Sequence, residues 1–228
     1  MIAVKQLLKK DYVKTIIVIV AIIAVVFGFL FGLGFALGTP VPLRVVESGS
    51  MCVPYDGSCD GWSHPFDQTL HVGDIIIIQA VNPEDLNANY PNSDIIIYEK
   101  PSDLGNPNAT PIVHRIVAKE VINDTLYFQT KGDGNGEKYP AEPSPKQYDS
   151  NTLWLTGEGV PQNLVEGKVI MRIPWFGNVT LFMRDNPWSL PLVVAVIILL
   201  VIVELIIPML KVKKNKPEIK TVSISLKS

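Results

Sequence analysis

Residues 16–37 carry no charged side chain and are almost wholly apolar. At about 1.5 Å of rise per residue, a helix of that length matches a hydrocarbon core of roughly 30 Å. A cleavable secretory signal has a shorter apolar region, about 7–15 residues, followed by a small-residue cleavage site. This run is longer and leads into Thr39-Pro40-Val41-Pro42, so it reads as a permanent anchor. A second apolar run, residues 188–210, is interrupted only by Glu204. The hydrophobic content of 47% largely reflects these two stretches. What lies between them suits one domain with a single core.

Orientation follows from the cationic residues. Lys5, Lys9, Lys10 and Lys14 precede the first run against Asp11 alone. Lys211, Lys213, Lys214, Lys216, Lys220 and Lys227 follow the second against Glu218. The positive-inside rule then places both ends in the cytoplasm and the middle domain outside a cell membrane crossed twice. The expected organisation is a basic terminus (1–15), a span (16–38), an extracytoplasmic domain (39–187), a span (188–210) and a basic tail (211–228). Topology and anionic lipid account for the basic ends, and nucleic acid is not an expected partner. Cys52 and Cys59, both in the outward domain, favour a disulfide closing a small loop within 52–68. Asn108, Asn123 and Asn178 begin glycosylation sequons on the same side.

The outward domain reads as strands and turns. Short β-branched or alternating runs at 41–46, 74–79, 94–98, 112–117, 126–130 and 168–173 are bounded by Gly, Pro, Asn and Asp. That pattern predicts a mainly β, antiparallel domain flanked by two transmembrane helices. The polar segments 52–68 and 132–151 are long for structureless connections, which marks them as functional loops.

Three places could carry chemistry. Ser48-Gly49-Ser50-Met51 sets two hydroxyls around a glycine that permits a tight turn. His114 lies inside the apolar strand 112–117, and its neighbour Arg115 must face the other way. An imidazole is suited to general-base work near neutral pH. Lys131-Gly132-Asp133-Gly134-Asn135-Gly136 opens the longer loop but lacks the Gly-Lys-Ser/Thr ending of a phosphate-binding loop. Read individually, the three are also compatible with a serine-rich turn, a structural strand histidine and a glycine-rich turn.

Their order is more informative. An anchor, then Ser48-Gly49-Ser50-Met51, then Thr69-Leu70-His71-Val72-Gly73-Asp74, then Val113-His114-Arg115, then Thr130-Lys131-Gly132-Asp133 resembles the type I signal peptidases. Histidine at position 114, where bacterial members carry a lysine, resembles the archaeal and endoplasmic-reticulum type with a serine, a histidine and an acid. The resemblance implies removal of signal peptides from exported preproteins, with no cofactor. It implies Ser50 as nucleophile, His114 as base, and an oxyanion site from the Ser50 N–H and the Ser48 hydroxyl. Leu43, Val45 and Met51 are the expected walls of a shallow substrate site. Partners would be signal peptides, membrane lipid and the protein-export translocon. Lys131 is expected to be structural or superficial.

The chain departs from that family's pattern in three places, one being the second membrane span, which only some members have. Residues 52–68 look inserted, with Pro54 one position late. The family's second aspartate, about six residues beyond the first, is replaced by Tyr139. Asp133 is the first candidate for the acid and Asp149 the second, with Glu137 and Glu142 also within the lengthened loop. The alternative is a non-catalytic, membrane-tethered subunit on the same β domain. Two further readings are weaker: a zinc site from Cys52, Cys59, His64 and His71, whose spacing lacks a tight Cys pair, and a transpeptidase using Cys52. Glu204 is expected to be a protonated or snorkelling carboxyl.

Overall fold

A computed structural model of the chain describes residues 2–53, 59, 69–106, 109–154 and 156–214. Pro54, His64, Asn108, most of the 52–68 insertion and the distal tail lie outside the described residues, as does the side chain of Glu204. The chain divides into two units, 1–27 with 187–228, and 28–186.

Helix α1 spans Ile2–Leu37, and its end is written into the sequence. Gly38 adopts the left-handed region at φ +67°. The Gly38 N–H donates to the Phe35 carbonyl and the Thr39 N–H to the Gly34 carbonyl, the paired bonds of a Schellman cap, and Pro40 prevents continuation. Val13–Leu37 is long and apolar enough to cross a membrane by itself, the one such helix among the described residues. Helix α4, Ser189–Lys214, contains most of the second apolar run.

The 28–186 unit is built on one seven-stranded sheet: β1 Leu43–Val45, β2 Ile75–Gln79, β3 Ile95–Tyr98, β4 Ile112–Ile122, β5 Thr125–Lys131, β6 Val160–Pro161 and β7 Val165–Ile173. The order is β1-β2-β7-β3-β4-β5-β6, with every pairing antiparallel. The isoleucine runs form strands buried on both sides, as adjacent residues show. Ile96 and Ile97 are each fully buried, yet Ile96 packs with Tyr98, Ile116 and Phe128 while Ile97 packs with Val46, Met51 and Ile78. Side chains alternate along a strand, so these are the two faces of the sheet.

Strand β4 runs beyond residue 117 to Ile122. Its distal half carries Lys119 and Glu120, whose polarity hides the strand from an apolar-run criterion. Asn123 and Asp124, at φ +50° and +62°, close the β4–β5 hairpin with both turn residues in the left-handed region. The four-residue helix α2, Asn151–Trp154, and the helix α3, Gly177–Asp185, were not foreseen. Helix α3 has only nine residues and leaves Val179 and Phe182 exposed, too short a segment for its apolar spacing to stand out in the sequence.

Phe128 has no exposed surface and lies in the cluster with Ile96, Tyr98 and Trp154. Phe128→Ala is expected to cost about 3–5 kcal/mol, read as the change in denaturant midpoint of the purified protein. A loss below about 1 kcal/mol would contradict this account of the core.

Candidate active site

The turn that carries Ser50 is fixed from both ends. Upstream, the Val46 N–H donates to the Asp74 carbonyl and the Gly73 N–H to the Val46 carbonyl, both at 2.9 Å. The chain is still extended at Ser48 (φ −127°, ψ 157°) and then coils into a 3₁₀ turn over Gly49–Met51. Met51, 1% exposed, drops into the core beside Val46 and Leu70. Cys52 closes the turn by donating its N–H to the Gly49 carbonyl and is joined to Cys59 by a disulfide. A sulfur held in that bond is neither a free nucleophile nor a thiolate metal ligand. His71 has its own partners: its Nδ1 accepts from Arg172 Nη1 at 2.9 Å, and its N–H donates to Asp74.

His114 reaches this turn from near the start of β4. Its Nε2 lies 3.0 Å from Ser50 Oγ, and its Nδ1 lies 2.5 Å from Asp149 Oδ2. The ring is 5% exposed. Asp149 is supplied by the far end of the 132–151 loop, where its N–H donates to the Thr130 carbonyl at 2.9 Å. Thr130 Oγ1 donates to the same carboxylate oxygen at 2.7 Å. Ser48 Oγ stands 3.3 Å from Ser50 Oγ.

Two glycines make this approach possible. A methyl group on Gly132 would stand 2.5 Å from the Ser50 carbonyl oxygen and 3.0 Å from His114 Nε2. On Gly134 it would collide with the Cys52 carbonyl oxygen. Only a residue without Cβ lets the two backbones come so close. The contact is productive as well, because the Gly134 N–H donates to the Ser50 carbonyl at 2.8 Å.

Arg115 and Asp133 sit on the opposite side of β4 from His114. Arg115 Nε and Nη2 donate to the two Asp133 oxygens, each at 2.8 Å. Nη1 donates to the Ser93 carbonyl, and the guanidinium lies 4.3 Å from the centre of the Tyr139 ring. Burial alone would pull the Arg115 guanidinium down, but the hydrogen bonds and charge of Asp133 outweigh it and raise its pKa. Lys131 is buried, with its ammonium donating to the Gly132 and Glu137 carbonyls. Burial lowers its pKa, with Asp133 and Asp149 acting against that shift.

A cleft of about 450 Å³ opens beside Ser50 and His114, walled by Val45, Val46, Met51 and Val113 among others. Leu43, expected as a wall, is not among the lining residues. It pairs across β1–β2 with Ile77. A hydroxyl, an imidazole and a carboxylate in series at the edge of a cleft of mixed polarity can move a proton from the hydroxyl and leave the oxygen nucleophilic.

No family model matches the chain. Relatives of established description do. The chain is 26% identical over 168 residues to the signal peptidase complex catalytic subunit SEC11 of Metarhizium acridum, covering 73% of this chain and 77% of that protein. The SEC11 subunit of Fusarium vanettenii matches equally. That of Neurospora crassa is 28% identical over 152 residues, covering 66% and 68%. The chain is a homologue of these catalytic subunits. The resemblance to type I signal peptidases in the motif order and the similarity to these subunits therefore point to the same family.

Of the candidate residues in this SEC11 homologue, the structure brings Ser50, His114, Asp149 and Ser48 together. It places Asp133, the first candidate for the acid, on Arg115 instead. The sequence held a signal for that outcome. Alternation sends Arg115 away from His114, a buried guanidinium needs a carboxylate, and Lys131, two residues before Asp133, is the β5 partner of Arg115. Thr130 was overlooked although it continues the buried alternation of Leu126 and Phe128. Among the described residues, no group of three His, Cys, Asp or Glu is arranged to hold a metal.

Asp133→Ala strips the partner from a buried guanidinium, so it is expected to destabilise the β unit by about 3–5 kcal/mol, measured by chemical denaturation. Unchanged stability would mean that Arg115 is solvated and that the pair does not hold the loop.

Proposed function

We propose that the chain is a membrane-held serine endopeptidase that removes signal peptides from exported preproteins, with Ser50, His114 and Asp149 as its catalytic triad. The observation that carries this reading is the continuous hydrogen-bonded series from Ser50 Oγ through His114 to Asp149. His114 Nε2 takes the serine proton as Oγ attacks the scissile carbonyl, then returns it to the leaving amine. Asp149 holds the tautomer with hydrogen on Nδ1 and stabilises the imidazolium formed in between. The tetrahedral oxyanion is received by the Ser50 N–H and the Ser48 hydroxyl. Asp133 is assigned a scaffolding role through Arg115.

The preprotein adds as an extended strand along β1, the open edge of the sheet, with small side chains before the cut facing Val45 and Met51. Two spans, with both ends cytoplasmic and the β unit outside, follow from the lysine distribution. They hold the triad near membrane-bound substrates and raise their effective concentration. The named relatives are catalytic subunits of a complex, which extends the expected partners beyond the preprotein, lipid and translocon to other subunits. The non-catalytic alternative rested on a missing second aspartate. Asp149 beside His114 removes that support.

Purified protein should cut a signal peptide ending in small residues, and Ser50→Ala should abolish the cut while leaving membrane insertion intact. Asp149→Asn should lower kcat by about 10³–10⁴-fold through loss of the correct tautomer. Retained cleavage in the Ser50 variant would exclude this nucleophile. A fully active Asp149→Asn enzyme would exclude this acid.

A further inference from the structure

Asp149 does not rest on His114 alone. Its Oδ2 also accepts from Thr130 Oγ1 at 2.7 Å. Thr130 has no exposed surface, so its hydroxyl must find its partners within the protein. Two further groups point at that oxygen: Trp154 Nε1 at 3.1 Å and the Tyr98 hydroxyl at 3.3 Å.

The chemistry of these groups fixes the direction of every bond. An indole N–H can only donate, so Thr130 Oγ1 is the acceptor from Trp154. A hydroxyl has one hydrogen and two lone pairs. With one lone pair engaged by Trp154, the hydrogen remains for Asp149, whose ionised carboxylate only accepts. Tyr98 takes the second lone pair as a donor. Burial, followed by the Asp149 charge, raises the pKa of that phenol, so it keeps its proton. Thr130 thus has a full complement of partners and one orientation. Its χ1 is further restricted by the branch at Cβ.

We propose that Thr130, oriented by Trp154, is a positioning residue that fixes the Asp149 carboxylate against His114. This deepens the triad reading and rests on it for its consequence in catalysis. The Asp149 carboxylate comes from the end of a long loop, and the same oxygen that meets Nδ1 is the one that Thr130 holds. Trp154 and Tyr98 belong to the buried cluster of the sheet, so the relay transmits the rigidity of the core to a loop-borne acid. Misplacing a reacting group by about 1 Å can cost on the order of 10²-fold in rate.

The test uses the full-length protein in detergent with Thr130→Val, Thr130→Ser and Trp154→Phe. Valine keeps the shape and removes the hydroxyl. Serine restores the hydroxyl without the methyl. Phenylalanine removes the indole donor together with part of the ring's volume. On a signal-peptide substrate, Thr130→Val should lower kcat by about 10–100-fold with KM nearly unchanged, the pattern of an interaction that matters only in the transition state. Thr130→Ser should recover most of the loss, and Trp154→Phe should fall between. Unchanged kcat in Thr130→Val, a loss confined to KM, or a serine variant as impaired as the valine one would overturn the proposal.

A second readout does not need turnover. In protein labelled with ¹⁵N-histidine, the His114 Nδ1–H proton bonded to a carboxylate should resonate at low field and disappear in Asp149→Asn. It should move or broaden in Thr130→Val and in Trp154→Phe. An unmoved resonance overturns the proposal. A shifted resonance in a protein that cleaves nothing sinks the protease reading and leaves the positioning role standing. Should the valine variant not fold, Trp154→Phe carries both measurements, and wild-type values in each would overturn the proposal.

Discussion

The ion pair between Arg115 and Asp133 is the constraint on which the rest of the site depends. Its side chains are 6% and 1% exposed, so neither charge has water to fall back on. Breaking such a pair by removing one partner costs about 3–5 kcal/mol. The surface pair of Arg44 with Glu166, each about a quarter exposed, belongs to a class worth about 0–1 kcal/mol. A guanidinium committed to the interior of β4 therefore obliges the chain after β5 to return a carboxylate to it. Everything between Lys131 and Tyr139 is shaped by that obligation. Gly132 and Gly134 flank the aspartate and are drawn against the Ser50 turn. The Asp133 N–H itself points at Met51 Sδ. The distance between the Ser50 hydroxyl and the imidazole is thus set partly from the face of the sheet that carries Arg115.

Two aspartates within one loop serve two neighbouring basic side chains, and strand alternation keeps them apart. His114 and Arg115 are consecutive, so their side chains leave β4 on opposite sides. A carboxylate that chelates Arg115 with both oxygens cannot also reach the far ring nitrogen of His114. Asp133 is consumed by the first task, and the second falls to Asp149, sixteen positions later. The separation has a chemical consequence. A carboxylate neutralised by a bidentate guanidinium is a poor stabiliser of an imidazolium. One held by a neutral threonine hydroxyl keeps its full charge for the ring.

Much of this was legible in the sequence, for identifiable reasons. The uncharged run at 16–37 and its Gly-Thr-Pro ending specify a long helix with a glycine cap. The isoleucine runs specify strands whose limits in β2 and β3 fall within one residue of the expected ones. Where polarity entered a strand, as at Lys119 and Glu120, the apolar criterion stopped early. The approach of Ser50 to His114 could be anticipated only through the resemblance in motif order, because β1 and β4 are separated by β2, β7 and β3 in the sheet. Asp149 could not be singled out by spacing. The loop that supplies it has no periodicity, and its landing point is decided by Thr130, Trp154 and the Arg115 pair, all of which act through space.

Such a loop poses an entropic problem that the fold answers with polar contacts drawn from its most rigid part. Each ordered backbone residue costs about 1–2 kcal/mol of conformational freedom, and the segment after Asp133 buries little apolar surface. Its ends are therefore tied where the protein cannot yield: to β4 through Arg115 at one side, and to β5 through the Asp149 N–H and the Thr130 hydroxyl at the other. Between those ties the segment is held again, by Lys131 Nζ on the Glu137 carbonyl and by the Tyr90 hydroxyl on the Ala141 carbonyl. A carboxylate sixteen positions beyond Asp133 thereby meets the imidazole although Tyr139, packed on Arg115, stands where the family pattern places an aspartate.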